Sequence, residues 1–395
     1  MIDYSGMINN RLLGIKPSGI RKFFDIANEM DHVISLSIGE PDFTTPWHVR
    51  QEGIEALRRG HTWYAPNRGF IELRKQITNY YARRFNVEYN PDNEILVSVG
   101  GSEAIDLCIR TLVQEGDEVL IPQPAFVCYE PMTVMAGGTP VIIETKAENG
   151  FRLTAAELEA SITPRTKLLI LPFPNNPTGA VMRREHLEEI ARVLEKHDIL
   201  VLSDEIYGEL TYGKERHVSF ADIKGMKERT VVVSGFSKAY AMTGWRLGYA
   251  LGPEPVISQM LKLHQYAIMC APTPAQYAAI EALKHGDSDI EHMREEYDIR
   301  RRFLVEELCR MGLTCFEPEG AFYVFPSIKI SGLKSEDFCE RLIYSQKVAI
   351  VPGNAFGDCG EGFARVSYSY SLKHIQEAMV RIERFLDSGC SGSAD

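Results

Sequence analysis

In the stretch SGFSKAYAMTGWRLGY, residues 234–249, one lysine, Lys238, sits among Phe236, Ala239, Tyr240 and Ala241. Desolvation there disfavours the ammonium form and leaves a nucleophilic amine near neutral pH. The alternative is a lysine whose head reaches water along its apolar stem. Arg246, further along the same stretch, offers a planar fork suited to phosphate or carboxylate. In VLSDEIYGEL, Asp204 and Glu205 close a buried strand pattern, where an unpaired carboxylate costs several kcal/mol. Asp204 therefore calls for a cationic partner, with a salt bridge to an arginine as the plain solution.

Three further stretches carry polar groups in comparable settings. In VSVGGSEAID a strand runs into Gly100, Gly101 and Ser102 and then a helix, so the free amides around Ser102 and Glu103 can hold an anion or simply cap the helix. It is neither Gly-x-Gly-x-x-Gly nor a Gly-x-Ser-x-Gly elbow, so neither a nicotinamide site nor a hydrolase nucleophile is supported. LPFPNNPTGAV sets Asn176 before the turn Pro177, Thr178, Gly179, either as turn chemistry or as an amide fixed at a sheet edge. EGFARVSYS puts Arg365 between Ala364 and Val366 in a strand pattern, where it needs an anion from the protein or from a substrate carboxylate.

These residues require elements to carry them to one place. From about residue 94 to 252, apolar runs such as EILVSVGG, EVLIPQP, PVIIET, KLLILPFP, ILVLSDEIY and TVVVSGFSK alternate with helical patterns. Runs without alternation imply strands buried on both faces, and the intervening helices imply crossovers. The expected fold class is α/β, a mostly parallel sheet sandwiched by helices, with a smaller α+β domain after it. Ligands of such sheets lie beyond the carboxyl ends of the strands, where the polar residues above collect. The expected division is an N-terminal segment 1–40 packing on the small domain or a partner, a large domain 41–285, a small domain 286–388 and a disordered tail 389–395.

Composition narrows the function classes. The 395 residues are 45% hydrophobic and 25% charged, with a formal net charge of -11. That balance, without a basic run, argues against nucleic-acid or anionic-membrane binding. No stretch reaches the roughly 18 apolar residues a spanning helix needs, and the first residues lack an apolar signal core, so a cytoplasmic protein is expected. The cysteines show neither Cys-x-x-Cys nor a Cys/His cluster, so thiols and no structural metal are expected.

Taken together, Asn176-Pro177-x-Gly179, Ser203-Asp204-Glu205-x-Tyr207, Ser237-Lys238 with Arg246, and Arg365 stand in an order and spacing that resembles the class I/II aminotransferases of the pyridoxal 5′-phosphate (PLP) fold type I superfamily. SIGEPDF, WYAPNRGFIELR, EGAFYVFP and VAIVPGNAFG add to the likeness, which runs from about Ile34 to Leu386. It is greatest to the bacterial and archaeal branch acting on aspartate, aromatic amino acids, alanine or N-acetyl-diaminopimelate. The resemblance implies an aminotransferase moving an amino group from an L-amino acid to a 2-oxo acid in two half-reactions. The alternatives on the same fold are a PLP-dependent C–S β-lyase and, more remotely, a non-catalytic PLP-binding regulator.

The resemblance also assigns roles. Lys238 would carry the cofactor as a Schiff base and move the substrate proton, and Asp204 would keep the pyridine nitrogen protonated. Asn176 and Tyr207 would bond the ring oxygen, and Phe126 would stack on the ring. Gly101, Ser102 and Glu103 would hold the phosphate with Arg246 and a hydroxyl from Ser234 or Ser237; Gly235 stands where many relatives carry serine. Arg365 would clamp the substrate carboxylate with Gly39 and Asn176, favouring closure of the small domain on the large one. Tyr64 would reach the neighbouring subunit's phosphate, which implies a homodimer with shared active sites. Arg68, in the same loop as Tyr64, is expected to be a solvated arginine, with a reader of a substrate's distal acid group in the neighbouring subunit as the alternative.

Overall fold

The chain was analysed as a computed structural model, which describes residue 4 and residues 6–390. The strands in chain order are β1 Ile34–Ser35, β2 Ile95–Ser98, β3 Glu118–Gln123, β4 Thr139–Glu144, β5 Thr166–Leu171 and β6 Leu200–Asp204. They continue with β7 Thr230–Gly235, β8 Gly248–Leu251, β9 Tyr323–Val324, β10 Val348–Ala349, β11 Val351–Pro352 and β12 Ala364–Ser367. Seven of them form the main sheet in the order β2-β8-β7-β6-β5-β3-β4. Within it only β8 runs against its neighbours.

The missing hydrophobic alternation has a direct cause in β5. Leu168 and Ile170 join one apolar cluster with Ala104, Ile105 and Cys108 of the helix Gly101–Leu112. Leu169 and Leu171 join another, with Leu187, Ile190 and Leu194 of the helix Arg184–Leu194. Helices thus cover both faces, and either face of the strand must be apolar. The parallel strands β2, β5, β6 and β7 then deliver Gly100, Asn176, Asp204 and Lys238 at or just past the same edge.

At that edge three backbones approach too closely for side chains. A Cβ on Gly248 would lie 2.6 Å from the Gly100 carbonyl carbon, and one on Gly235 would lie 2.9 Å from the Gly248 Cα. Gly235 and Gly248 are also paired in register between β7 and β8. This contact, absent from any reading of local pattern, accounts for glycine at 235.

The elements after residue 286 gather, with part of the N-terminal segment, on a separate apolar cluster. Leu304 and Leu308 of the helix Asp287–Arg310 meet Phe338 and Leu342 of Ser335–Gln346, and Ile375 and Met379 of Leu372–Asp387. They surround the antiparallel sheet β11-β12-β9. Phe23, from the helix Gly19–Glu29, and Leu36 belong to the same cluster, and β1 pairs in parallel with β10. The expected tail 389–395 is only partly described: Gly389 takes a left-handed φ of 67°, and Cys390 is buried with its N–H on the Phe385 carbonyl. This is a helix C-cap; residues 391–395 lie outside the described residues. Among the described residues no helix is long and apolar enough to cross a membrane.

Candidate active site

A cavity of about 350 Å³ opens at the carboxyl edge of the main sheet. Lys238, Asp204, Tyr207, Asn176, Phe126, Gly101, Ser102, Ser237, Arg246, Gly39 and Arg365 all line it. The lysine comes from the turn after β7, the aspartate from the last position of β6, and Arg365 from β12. Residues far apart in sequence are therefore brought together by the parallel strand order, with the small sheet closing the opposite side.

Lys238 is half-buried, and its Nζ donates to the Gly39 carbonyl at 2.5 Å. It lies 5.8 Å from the centre of the Tyr207 ring and 5.7 Å from that of Phe322. Desolvation is the main reason its pKa falls to about 8; Glu40 opposes the shift, while Arg365 and Arg246 add to it. The lysine therefore stays inside the cavity rather than reaching bulk water.

Asp204 is buried, and burial pushes its carboxyl up to about 6. Its partners are neutral: the Tyr129 hydroxyl donates to Oδ2 at 2.7 Å and the Ile206 amide to Oδ1 at 3.2 Å. The salt bridge to an arginine anticipated from the sequence is replaced by these two donors. Glu205 points away, its Oε1 accepting from Ser203, Ser219 and the Phe220 amide, with His217 3.1 Å from Oε2.

At the other end of the cavity, Gly100 has φ 78° and a Cβ there would come within 2.6 Å of an Arg246 guanidinium nitrogen. Arg246 itself takes a left-handed φ of 52°, a conformation costing of order 1 kcal/mol for a non-glycine residue, and donates to the Thr243 carbonyl at 3.0 Å. The Glu103 carboxylate turns back from the helix start to accept from the Val99 amide and to meet His264 Nδ1 at 2.7 Å. Its carboxylate is thus engaged away from the cavity, and Glu103 is not among the lining residues. Ser237 lines the cavity, whereas Ser234 lies within β7 with its hydroxyl 3.4 Å from the Glu205 carbonyl.

Arg365 is 2% exposed, and burial lowers its pKa. One guanidinium nitrogen donates to Asn176 Oδ1 at 2.9 Å, another to the Ser37 carbonyl, and the buried Nε has no hydrogen-bond partner among the described residues. A full positive charge held by neutral oxygens suits a carboxylate arriving from the cavity.

Tyr64 is 76% exposed and lies outside this cavity. Trp63, next to it in the chain, is exposed as well, and so are the large apolar side chains of Leu57, Tyr266 and Met269. Arg68 is not a solvated loop arginine: it is half-buried, and its guanidinium donates to the carbonyls of Asn93 and Ile95, tying its loop to β2. Among the lining residues that escaped the sequence reading are Tyr129 and Tyr323. Tyr129 follows Phe126 in QPAFVCYEP, and the need of Asp204 for a partner was the signal that could have singled it out. Tyr323 stands in EGAFYVFP, where an aromatic residue in a strand reads as core.

The sequence pattern of the family described as aminotransferase class I and II matches residues 31–382. The putative aminotransferase YugH of Bacillus subtilis is 54% identical over 94% of this chain and 96% of its own length. The aspartate aminotransferase of Pyrococcus abyssi is 47% identical over 96% of this chain and 98% of its own. Among solved structures, the aromatic aminotransferase of Pyrococcus horikoshii superposes with a TM-score of 0.89 at 44% identity, covering 93% of this chain and 99% of that one.

Proposed function

Since the chain belongs to the class I and II aminotransferases, an enzyme family that is PLP-dependent and exchanges amino groups between amino acids and 2-oxo acids, we propose that the cavity holds PLP and that the residues lining it divide the work of transamination. The observation that carries this reading is the buried Asp204 carboxylate, whose hydrogen-bond partners among the described residues are neutral, at one end of a cavity whose other end offers Arg246 and a helix start. A protonated pyridine nitrogen would supply the missing charge at Asp204, and a phosphate would match Arg246 with the amides of Gly101 and Ser102. The donor set therefore fits the cofactor at both ends.

When bound, PLP supplies an aldehyde that takes up the amino group and a protonated ring that accepts the electron pair left by the departing Cα proton. Lys238 Nζ is the group that would hold the cofactor at its aldehyde end, and as a free amine it would move the proton at the substrate Cα. Its lowered pKa leaves an appreciable fraction as free amine at neutral pH. Asp204 holds the proton on the ring nitrogen, and Tyr129 keeps the carboxylate oriented. Tyr207 and Asn176 serve the ring oxygen, Phe126 covers the ring face, and Ser102 and Ser237 offer hydroxyls to the phosphate. Arg365 takes the substrate α-carboxylate, with Gly39 and Asn176 beside it. Because Arg365 stands on β12 and Lys238 follows β7, substrate capture favours closure of the small domain on the large one and exclusion of water.

A homodimer with shared active sites belongs to the same reading: the exposure of large aromatic side chains at Tyr64 and Trp63 supports it, with Tyr64 reaching the partner's phosphate. A cytoplasmic setting, with the eight cysteines kept as thiols, is part of it as well. The relatives favour amino-group transfer over C–S cleavage. A panel of amino donors against 2-oxoglutarate and pyruvate tests the activity, with transfer expected and pyruvate plus ammonia from cystathionine marking the lyase. Lys238→Ala is expected to retain PLP without a borohydride-reducible link to the chain, and a reducible link surviving in that variant would refute the assignment.

A further inference from the structure

Tyr323 lines the cavity and has no part in the roles above. Its position is set by an unusual turn. Ala321 takes a left-handed φ of 56°, its N–H donates to the Leu210 carbonyl at 2.9 Å, and its own carbonyl accepts from Tyr212 and from Tyr368. Three hydrogen bonds thus hold the strained residue that turns the chain into β9.

The Tyr323 side chain that follows is fully buried. Its ring lies under the Arg365 guanidinium, 4.5 Å from the centroid, and β9 and β12 are paired through Ser367 and Tyr323. Its hydroxyl lies 2.8 Å from that of Tyr207. Gly39 makes room for it, since a Cβ there would stand 2.4 Å from the Tyr323 hydroxyl oxygen.

One hydrogen lies between two phenol oxygens at this distance, and either tyrosine can donate it. Tyr323 is enclosed, and its hydroxyl has Tyr207 as its hydrogen-bond partner among the described residues. With Tyr323 donating, the hydrogen of Tyr207 is left free to point at a ligand. The reverse arrangement buries the Tyr323 hydrogen without an acceptor, which incurs its full desolvation cost. Chained donors also strengthen one another in a low-dielectric site.

We propose that Tyr323 is a positioning residue: it fixes Tyr207 as a hydrogen-bond donor toward the cofactor's ring oxygen and, through its ring, links that donor to the carboxylate clamp at Arg365. This rests on the reading of the cavity as a PLP site. The phenols come from opposite sides of the cavity, Tyr207 from the segment after β6 and Tyr323 from the small sheet. Carboxylate capture by Arg365 therefore acts on the same ring that orients Tyr207.

The test compares the pH midpoint of the visible absorption of PLP-loaded wild type, Tyr323→Phe, Tyr207→Phe and the double variant. Tyr323→Phe keeps the ring under Arg365 and removes only the hydroxyl. Its midpoint is expected to rise by about 0.5–1 pH unit, the size one neutral hydrogen bond supports, because a weaker donor at Tyr207 stabilises the ring oxyanion less. In the Tyr207→Phe background the second substitution is expected to add nothing. kcat falls a few-fold while KM for the amino acid holds. An unchanged midpoint in Tyr323→Phe, an equal shift with and without Tyr207, or a change confined to KM overturns the proposal. A wild-type protein that shows no visible band after loading with PLP would overturn the PLP reading itself, whereas a band indifferent to Tyr323 overturns only this inference.

Discussion

Asp204 ends its strand with a carboxyl held near 6 by burial, against an ordinary value of 3.8. Its contribution to stability is thus fully present below pH 3.8, falls as pH rises through 6, and above that is a net cost of up to about 3 kcal/mol. The cofactor-free Asp204→Asn protein is accordingly expected to melt higher than wild type at pH 7.5, with the difference vanishing below pH 4; calorimetry across that range checks it. The same variant loaded with PLP is expected to lose at least about a hundredfold in kcat/KM, because the amide holds no proton on the ring nitrogen. That a residue worsens the fold yet stands at the cavity is what made it legible: a carboxylate at the end of an apolar strand announces an external partner. Lys238 and Arg365 were legible for the same reason, as charges in apolar surroundings. Tyr129 and Tyr323 were not, since a phenol in a buried pattern satisfies core packing and ligand binding equally well, and only the tertiary contacts with Asp204 and Tyr207 separate the two.

Among the elements, the strands of the main sheet could be read because both faces are covered and their sequences lack alternation, as Leu168 to Leu171 illustrate. The direction of β8 could not. Four residues, Gly248–Leu251, carry no mark of orientation, and its antiparallel pairing with β2 and β7 depends on how tightly the glycine-lined edge packs. That edge also sets the geometry of the turn before the helix Gly101–Leu112. A methyl group at residue 100 meets both an unfavourable φ of 78° and the Arg246 guanidinium 2.6 Å away. Gly100→Ala is therefore expected to fold, to displace Arg246, and to weaken PLP binding by about tenfold, which is roughly 1.4 kcal/mol. Equilibrium titration of the cofactor-free protein checks this, and an unchanged dissociation constant would remove Arg246 from the phosphate end.

For the whole molecule, the exposure of Tyr64 gives the dimer reading a decisive experiment. Lys238→Ala and Tyr64→Ala proteins are each expected to be nearly inactive, but after mixing and subunit exchange a heterodimer would own one site with both residues intact. A statistical mixture then regains about one quarter of wild-type activity. If Tyr64 serves its own subunit instead, mixing recovers nothing. The short parallel pairing of β1 with β10 has a consequence of another kind. Ile34 and Ser35 are made early and their partners Val348 and Ala349 late, so during synthesis the main sheet can assemble while Phe23 and Leu36 still lack most of the cluster that buries them. Over that interval the nascent chain carries an unburied apolar segment, and the cavity's second wall, with Arg365 and Tyr323, arrives last. Binding of PLP and substrate together is thus a property the ribosome confers only near the end of translation.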